Sequence, residues 1–204
     1  MYSELISRAK RLADGGQRRV LGIAGAPGAG KGTVAERVMS ELGDRAVLVP
    51  MDGFHLANAQ LRRLGRAERK GAPDTFDAAG YVALLRRIRE GAETVFAPNF
   101  HREIEESFAA EIAVDPEVPL VITEGNYLLL DTPPWAPVRG LLDECWFLAP
   151  DDEQRVQRLV DRHVHYGRTP EDAAEWVQRS DERNAAIVAA TRDRADLVID
   201  GDPS

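Results

Sequence analysis

The sequence predicts a three-layer α/β sandwich: a five-stranded parallel core sheet with helices on both faces, plus a small strand pair and a lid segment. Three observations carry this. Five short apolar runs, 18–25, 45–50, 119–125, 144–149 and 195–200, alternate with segments of helical periodicity. Runs that are apolar throughout suit strands covered on both faces, the condition of a parallel sheet with right-handed crossovers. No repeat, low-complexity tract or linker divides the 204 residues, so 1–204 reads as a single domain long enough to bury its own core.

The elements follow in order. Tyr2, Leu5, Ile6, Ala9 and Leu12 fall at helical spacing, and Gly15-Gly16 stops a helix expected to dock on the core. "RRVLGIAG" (18–25) is the first strand, "KGTVAERVMSEL" (31–42) the next helix and "RAVLVP" (45–50) the second strand. The stretch 51–76, rich in Gly, Pro, Arg and Asp, reads as a substrate-facing insertion. A helix over 77–90 has Asp77 as its N-cap. "TVFAPNF" (94–100) and "SFAAEIAV" (107–114) form a strand pair beside the main sheet, making 94–114 a second substrate-facing segment. "PLVITEG", "ECWFLA" and "ADLVID" supply the last three strands. Between the final two lie helices over 151–166 and 170–192, the second capped by Thr169 with Pro170 at its first position. Trp176, at helical spacing with Ala173 and Val177, is expected in the core.

Composition narrows the function. With 26 basic against 34 acidic residues the net charge is −8, which argues against a nucleic-acid-binding surface. The arginines are clustered, leaving room for a small-anion site. The lone cysteine, Cys145, sits in an apolar strand and is expected to be buried. Neither a signal-peptide pattern nor 18 consecutive apolar residues occurs, so the expectation is a cytoplasmic protein without a membrane partner. A homodimer stays open.

"GIAGAPGAGKGT" (22–33) meets the G-x-x-x-x-G-K spacing with Gly25, Gly30 and Lys31, between a predicted strand and a predicted helix. Glycines let successive amides turn inward around phosphate oxygens, and the positive end of the helix adds to that field. Lys31 can reach the β- and γ-phosphates. Gly25, Ala26, Pro27, Gly28, Ala29, Gly30, Lys31, Gly32 and Thr33 are thus the candidate ATP-binding loop of a P-loop NTPase three-layer sandwich. Gly32 departs from the pattern, which places there a hydroxyl that ligates Mg²⁺. Thr33 lies about 100° further round the helix. The string resembles the loop of adenylate kinases, which implies that phosphates, water and carboxylates elsewhere hold the ion.

Ligands in open α/β sheets sit beyond the C-terminal strand ends. Two carboxylates fall there: Asp52 in "MDGFH" and Glu124 closing "LVITEG". One can orient an acceptor hydroxyl and take its proton; the other can hold Mg²⁺ or its waters.

"MDGFH", "GAPDTFD" and "ITEGNYLLL", in that order, resemble the phosphoribulokinase, uridine kinase and pantothenate kinase family of P-loop kinases. The likeness runs over about 18–200 and is closest to a bacterial group labelled nucleoside/nucleotide kinase-like or fructose-transport-system kinase. It implies a small-molecule kinase using ATP and Mg²⁺, with Asp52 as base and Glu124, with Thr33 as a second candidate, near the metal. It implies that Asp74 binds acceptor hydroxyls, against the alternative of a turn residue after Pro73. His55 either orients substrate or serves structurally. "FAPNFHRE" is similar to the family's acceptor-lining segment, with His101 where an acid is expected; Phe100 and Arg102 carry over. Arg102 either binds an anionic acceptor group or pairs with Glu105 or Glu106.

After "CWFLAPDDEQ" come Arg155, Arg158 and Arg162 on one helical face, and the family places a lid there, about 151–169. Arg158 and Arg162 are the candidates to cover the transferring phosphate. Asn184 is a weaker candidate near the nucleotide. The leading expectation is transfer of the ATP γ-phosphate to a hydroxyl of a small metabolite (nucleoside, sugar or pantothenate-like). A nucleoside monophosphate kinase and a nucleotide-binding regulatory module without turnover are the alternatives.

Overall fold

The computed structural model describes residues 2–201; residues 1 and 202–204 of the expected domain lie outside them. The main sheet is built from β1 (Arg19–Gly25), β2 (Ala46–Leu48), β5 (Leu120–Gly125), β6 (Glu144–Ala149) and β7 (Leu197–Asp200). Its order is β2-β5-β1-β6-β7, with every neighbouring pair parallel. β3 (Val95–His101) and β4 (Glu106–Val114) form a separate antiparallel pair.

Period-two alternation sorts each central strand between two cores. Val20, Val121, Cys145 and Phe147 face one side, where helix α4 (Ala78–Glu90) packs with Tyr81, Leu85 and Ile88. Leu21, Ile122, Trp146 and Leu148 face the other, against α1 (Tyr2–Ala13) through Leu5 and Ala9 and α2 (Lys31–Leu42) through Val34 and Val38. Each fully buried side chain of the Leu or Ile class contributes ~1.5–3 kcal/mol. Asp77 caps α4 as expected, its carboxylate accepting from the Gly80 amide at 2.9 Å. Cys145 is fully buried, and burial pushes its thiol up to about 12.

Three departures bear on the site. The second strand is shorter than expected, because Pro50 leads out of it into a 3₁₀ turn over Met51–Phe54. The insertion 51–76 also holds a short helix, α3 (Asn58–Arg63). The expected single helix over 170–192 is α6 (Pro170–Trp176), a π turn over Val177–Asp181 and α7 (Glu182–Ala189). α5 (Asp152–His165) precedes them. Among the described residues no helix is long and apolar enough to cross a membrane.

Candidate active site

The chain leaves β1 at Gly25 and enters α2 at Lys31. Gly28 at φ 79° and Gly30 at φ 85° occupy the left-handed region that favours glycine. A Cβ on Gly28 would meet the Arg155 carbonyl oxygen at 2.7 Å, so α5 lies directly on the loop. Gly30 caps α2 without a side-chain hydrogen bond, leaving the first helical amides for an anion. Ala29 is fully buried in the core and Gly25 packs against the Leu148 backbone, so these two offer only main chain to a ligand.

Lys31 is 8% exposed and donates from Nζ to Asn126 Oδ1 at 2.8 Å and to the Ala26 carbonyl at 3.0 Å. Burial lowers its pKa to about 8, against the pull of Glu124 and Asp52. Glu124 stands near the end of β5, beside Ile23 of β1, which brings it to the mouth of the loop. Burial raises its carboxyl to about 6, although Lys31 opposes this. Asp52 rides on the 3₁₀ turn after β2. Burial alone would raise its carboxyl, but His55, Arg102, Lys31 and Arg162 together hold it below the ordinary carboxylate range.

Arg102 comes from the hairpin and pairs with Asp52, Nη2 to Oδ2, at 2.7 Å. Neither of the anticipated partners, Glu105 and Glu106, takes it: Glu105 pairs with Lys70, and Glu106 accepts from the Asn58 amide. His55 donates from Nδ1 to the Asp52 carbonyl at 2.8 Å. Its ring lies between Phe76, at 4.0 Å between centroids, and Phe100, at 4.5 Å. Asp74 departs from expectation: its carboxylate pairs with Arg69 and with Arg66, and it does not line the cavity.

On α5, Arg155 is locked in place, bonded to Glu182 at 2.8 Å, Asp152 at 2.9 Å and the Pro27 carbonyl at 3.3 Å. Arg158 and Arg162 line the cavity instead. Burial lowers the Arg162 pKa, as does the like charge of Arg102, while Asp181, Asp52 and Glu124 oppose them. Trp176 corrects the sequence reading: it lines the cavity and is not a core residue, with the Arg168 guanidinium 4.2 Å from its ring centroid. Asn184, buried in α7, donates to the Gly71 carbonyl at 3.3 Å, tying this helix to the insertion.

One cavity of about 930 Å³ unites these parts. Pro27, Gly28, Gly30, Lys31, Gly32 and Thr33 line it on the loop side; Asp52, His55, Phe100, Arg102 and Glu124 face it from the other strand ends. Sequence reasoning missed Asn126, Lys70 and Asn58, which line the same space. Asn126 directly follows the Glu-Gly pair and was the most findable. A second cavity of about 400 Å³ adjoins the loop at Ala26 and is walled by Pro150, Ala185, Ala186 and Ala189. No cluster of three protein metal ligands occurs among the described residues. A single hard carboxylate, Glu124, beside a phosphate cradle still fits Mg²⁺, an ion that keeps several waters and takes phosphate oxygens. Thr33, exposed on α2, faces the same cavity.

Residues 20–204 match the model of the phosphoribulokinase/uridine kinase family. A Schizosaccharomyces pombe protein named "Putative uridine kinase" is 34% identical over 213 residues, covering 97% of this chain and 89% of its own. A "Pantothenate kinase" of Leifsonia xyli subsp. xyli is 37% identical over 167 residues, covering 78% of this chain and 46% of its own. The crystal structure of a "putative fructose transport system kinase" from Silicibacter sp. TM1040 superposes with a TM-score of 0.89 at 34% identity, covering 98% of both chains.

Proposed function

The chain belongs to the phosphoribulokinase/uridine kinase family, and on that premise we propose that it transfers the γ-phosphate of ATP to a hydroxyl of a small metabolite. The observation that carries this reading is the meeting of Lys31, Asp52 and Glu124 in one cavity beneath Arg158 and Arg162. The triphosphate lies along the loop amides, and Lys31, still held by Asn126 and the Ala26 carbonyl, turns its third N–H to the β- and γ-oxygens. The second cavity, beside Ala26, takes the nucleoside end. Asp52 accepts the proton of the acceptor hydroxyl as that oxygen bonds to the γ-phosphorus and the bond to the bridging oxygen breaks. Arg158 and Arg162 neutralise the charge that spreads over the transferring group. Glu124 would hold Mg²⁺, with the Thr33 hydroxyl lining the same cavity as a second candidate, and the ion would supply further neutralisation of phosphate charge.

An acid at position 52 favours a hydroxyl acceptor over a nucleoside monophosphate, whose phosphate needs no base. The chain acts as one kinase domain in which 151–169 and 51–76 close over ATP and acceptor. The test is ADP formation and phosphorylated product from a panel of nucleosides, sugars and hydroxy acids. Asp52→Asn is expected to cut kcat about 10²–10⁴-fold while leaving ATP binding in place. Intact turnover in that variant removes Asp52 as base, and preferred phosphorylation of AMP replaces this reading with the monophosphate one.

A further inference from the structure

We propose that the acceptor carries an anionic oxygen group, a carboxylate or a phosphate, which draws Arg102 away from Asp52; this rests on the kinase reading above. Arg102 Nη2 sits 2.7 Å from Asp52 Oδ2. In that arrangement one oxygen of the base is taken by a cation, and the carboxylate is a poorer proton acceptor for it. A neutral acceptor offers nothing in exchange for the pair, so displacing Arg102 would strand two charges in a partly buried site. An anionic acceptor replaces one charge-assisted bond with another and frees the base in the same movement.

The surroundings of Arg102 are those of an anion seat on the acceptor side. Its guanidinium carbon lies 5.7 Å from the Phe100 centroid, and Lys70 Nζ lies 5.1 Å from the same centroid. Both cations line the cavity and both come from outside the phosphate loop and α5, Arg102 from the hairpin and Lys70 from the insertion, where Lys70 is already paired with Glu105 at 3.3 Å and leaves Arg102 as the main anion contact. Phe100 stacks on His55 at 4.5 Å, giving the carbon skeleton of the acceptor an aromatic floor beside the charges. The γ-phosphate is the competing partner for Arg102, but the kinase reading already gives that group Lys31, Arg158 and Arg162, which line the same cavity.

The test uses the full chain loaded with Mg²⁺ and a non-hydrolysable ATP analogue, titrated calorimetrically with matched pairs. The pairs are glycerate and glycerol, pantothenate and pantothenol, ribose 5-phosphate and ribose. At least one anionic member is expected to bind about tenfold or more tightly than its neutral partner, with Arg102→Gln bringing the pair within about twofold. Arg102→Lys should keep part of the preference. Which pair shows the gap separates carboxylate from phosphate. Equal binding of neutral partners, no binding of any anionic member, or a rise in KM for ATP with the acceptor spared in Arg102→Gln would each overturn the proposal. Transfer assays on the same panel keep the two readings apart. Best turnover on a neutral hydroxyl sinks the anionic seat and leaves the kinase standing. Selective binding of an anion with no phosphoryl transfer to any hydroxyl supports the seat and counts against the kinase.

Discussion

Lys31 Nζ donates to Asn126 Oδ1 at 2.8 Å, so a neutral amide from the far end of β5 holds the loop lysine in place. Replacing Asn126 by Ala removes that anchor from a nearly buried ammonium. A hydrogen bond to a charged group contributes about 1.5–3 kcal/mol, so KM for ATP should rise about tenfold or more. KM for the acceptor should barely move. Steady-state kinetics with each substrate varied in turn settles this, and an unchanged KM for ATP refutes the anchoring role.

The same lysine and Glu124 set the pH dependence. Burial lowers Lys31 to about 8, so above that pH the free enzyme loses the charge that meets the phosphates. Burial raises Glu124 to about 6, so below that pH its carboxyl is protonated and a poor cation ligand. kcat/KM for ATP should therefore climb towards pH 6, hold between 6 and 8, and fall above 8. A flat profile from acid to alkaline pH contradicts both assignments. Stability gives an independent check on Glu124. A raised folded pKa means the ligand-free protein loses stability as pH rises through about 6, because ionisation is harder in the fold than in the open chain. Glu124→Gln should thus stabilise the ligand-free protein at neutral pH by at most about 2 kcal/mol. That gain should vanish once pH drops below the ordinary glutamate value of 4.5.

Gly53 follows the proposed base and lies under the hairpin. A Cβ there would stand 2.3 Å from the Pro98 carbonyl oxygen, a backbone atom with little freedom to yield. Gly53→Ala should cost about 1–3 kcal/mol through overpacking, lowering the melting temperature by about 2–4 °C per kcal/mol. Because Pro98 lies within β3, which runs on to Arg102, the variant should also part Arg102 from Asp52 and impair acceptor kinetics more than ATP kinetics. Wild-type stability in Gly53→Ala would show that the close approach does not exist in solution.

Much of this could be read from the chain because its signals are local. The strands announce themselves by apolar runs, the loop by glycines before Lys31, and Asp52 and Glu124 by standing at strand ends where α/β sheets bind ligands. What could not be read depends on contacts between distant segments. Arg102 and Asp52 are 50 residues apart and meet only because the hairpin folds over the Met51–Phe54 turn. Asp74 sits in a promising stretch, yet Arg69 and Arg66 are close enough to take its carboxylate. Trp176 has core spacing on a regular helix, but the helix stops being regular at the next residue.

That irregularity gives chain length a meaning in this region. A π turn adds one residue to the helical count, so α7 emerges about 100° away in phase from the helix an unbroken 170–189 segment would form. In this shifted phase the Asn184 amide reaches the Gly71 carbonyl at 3.3 Å. A relative lacking one residue between positions 176 and 184 has therefore not trimmed a connection. It has rotated the whole following helix, and with it the clasp on the insertion.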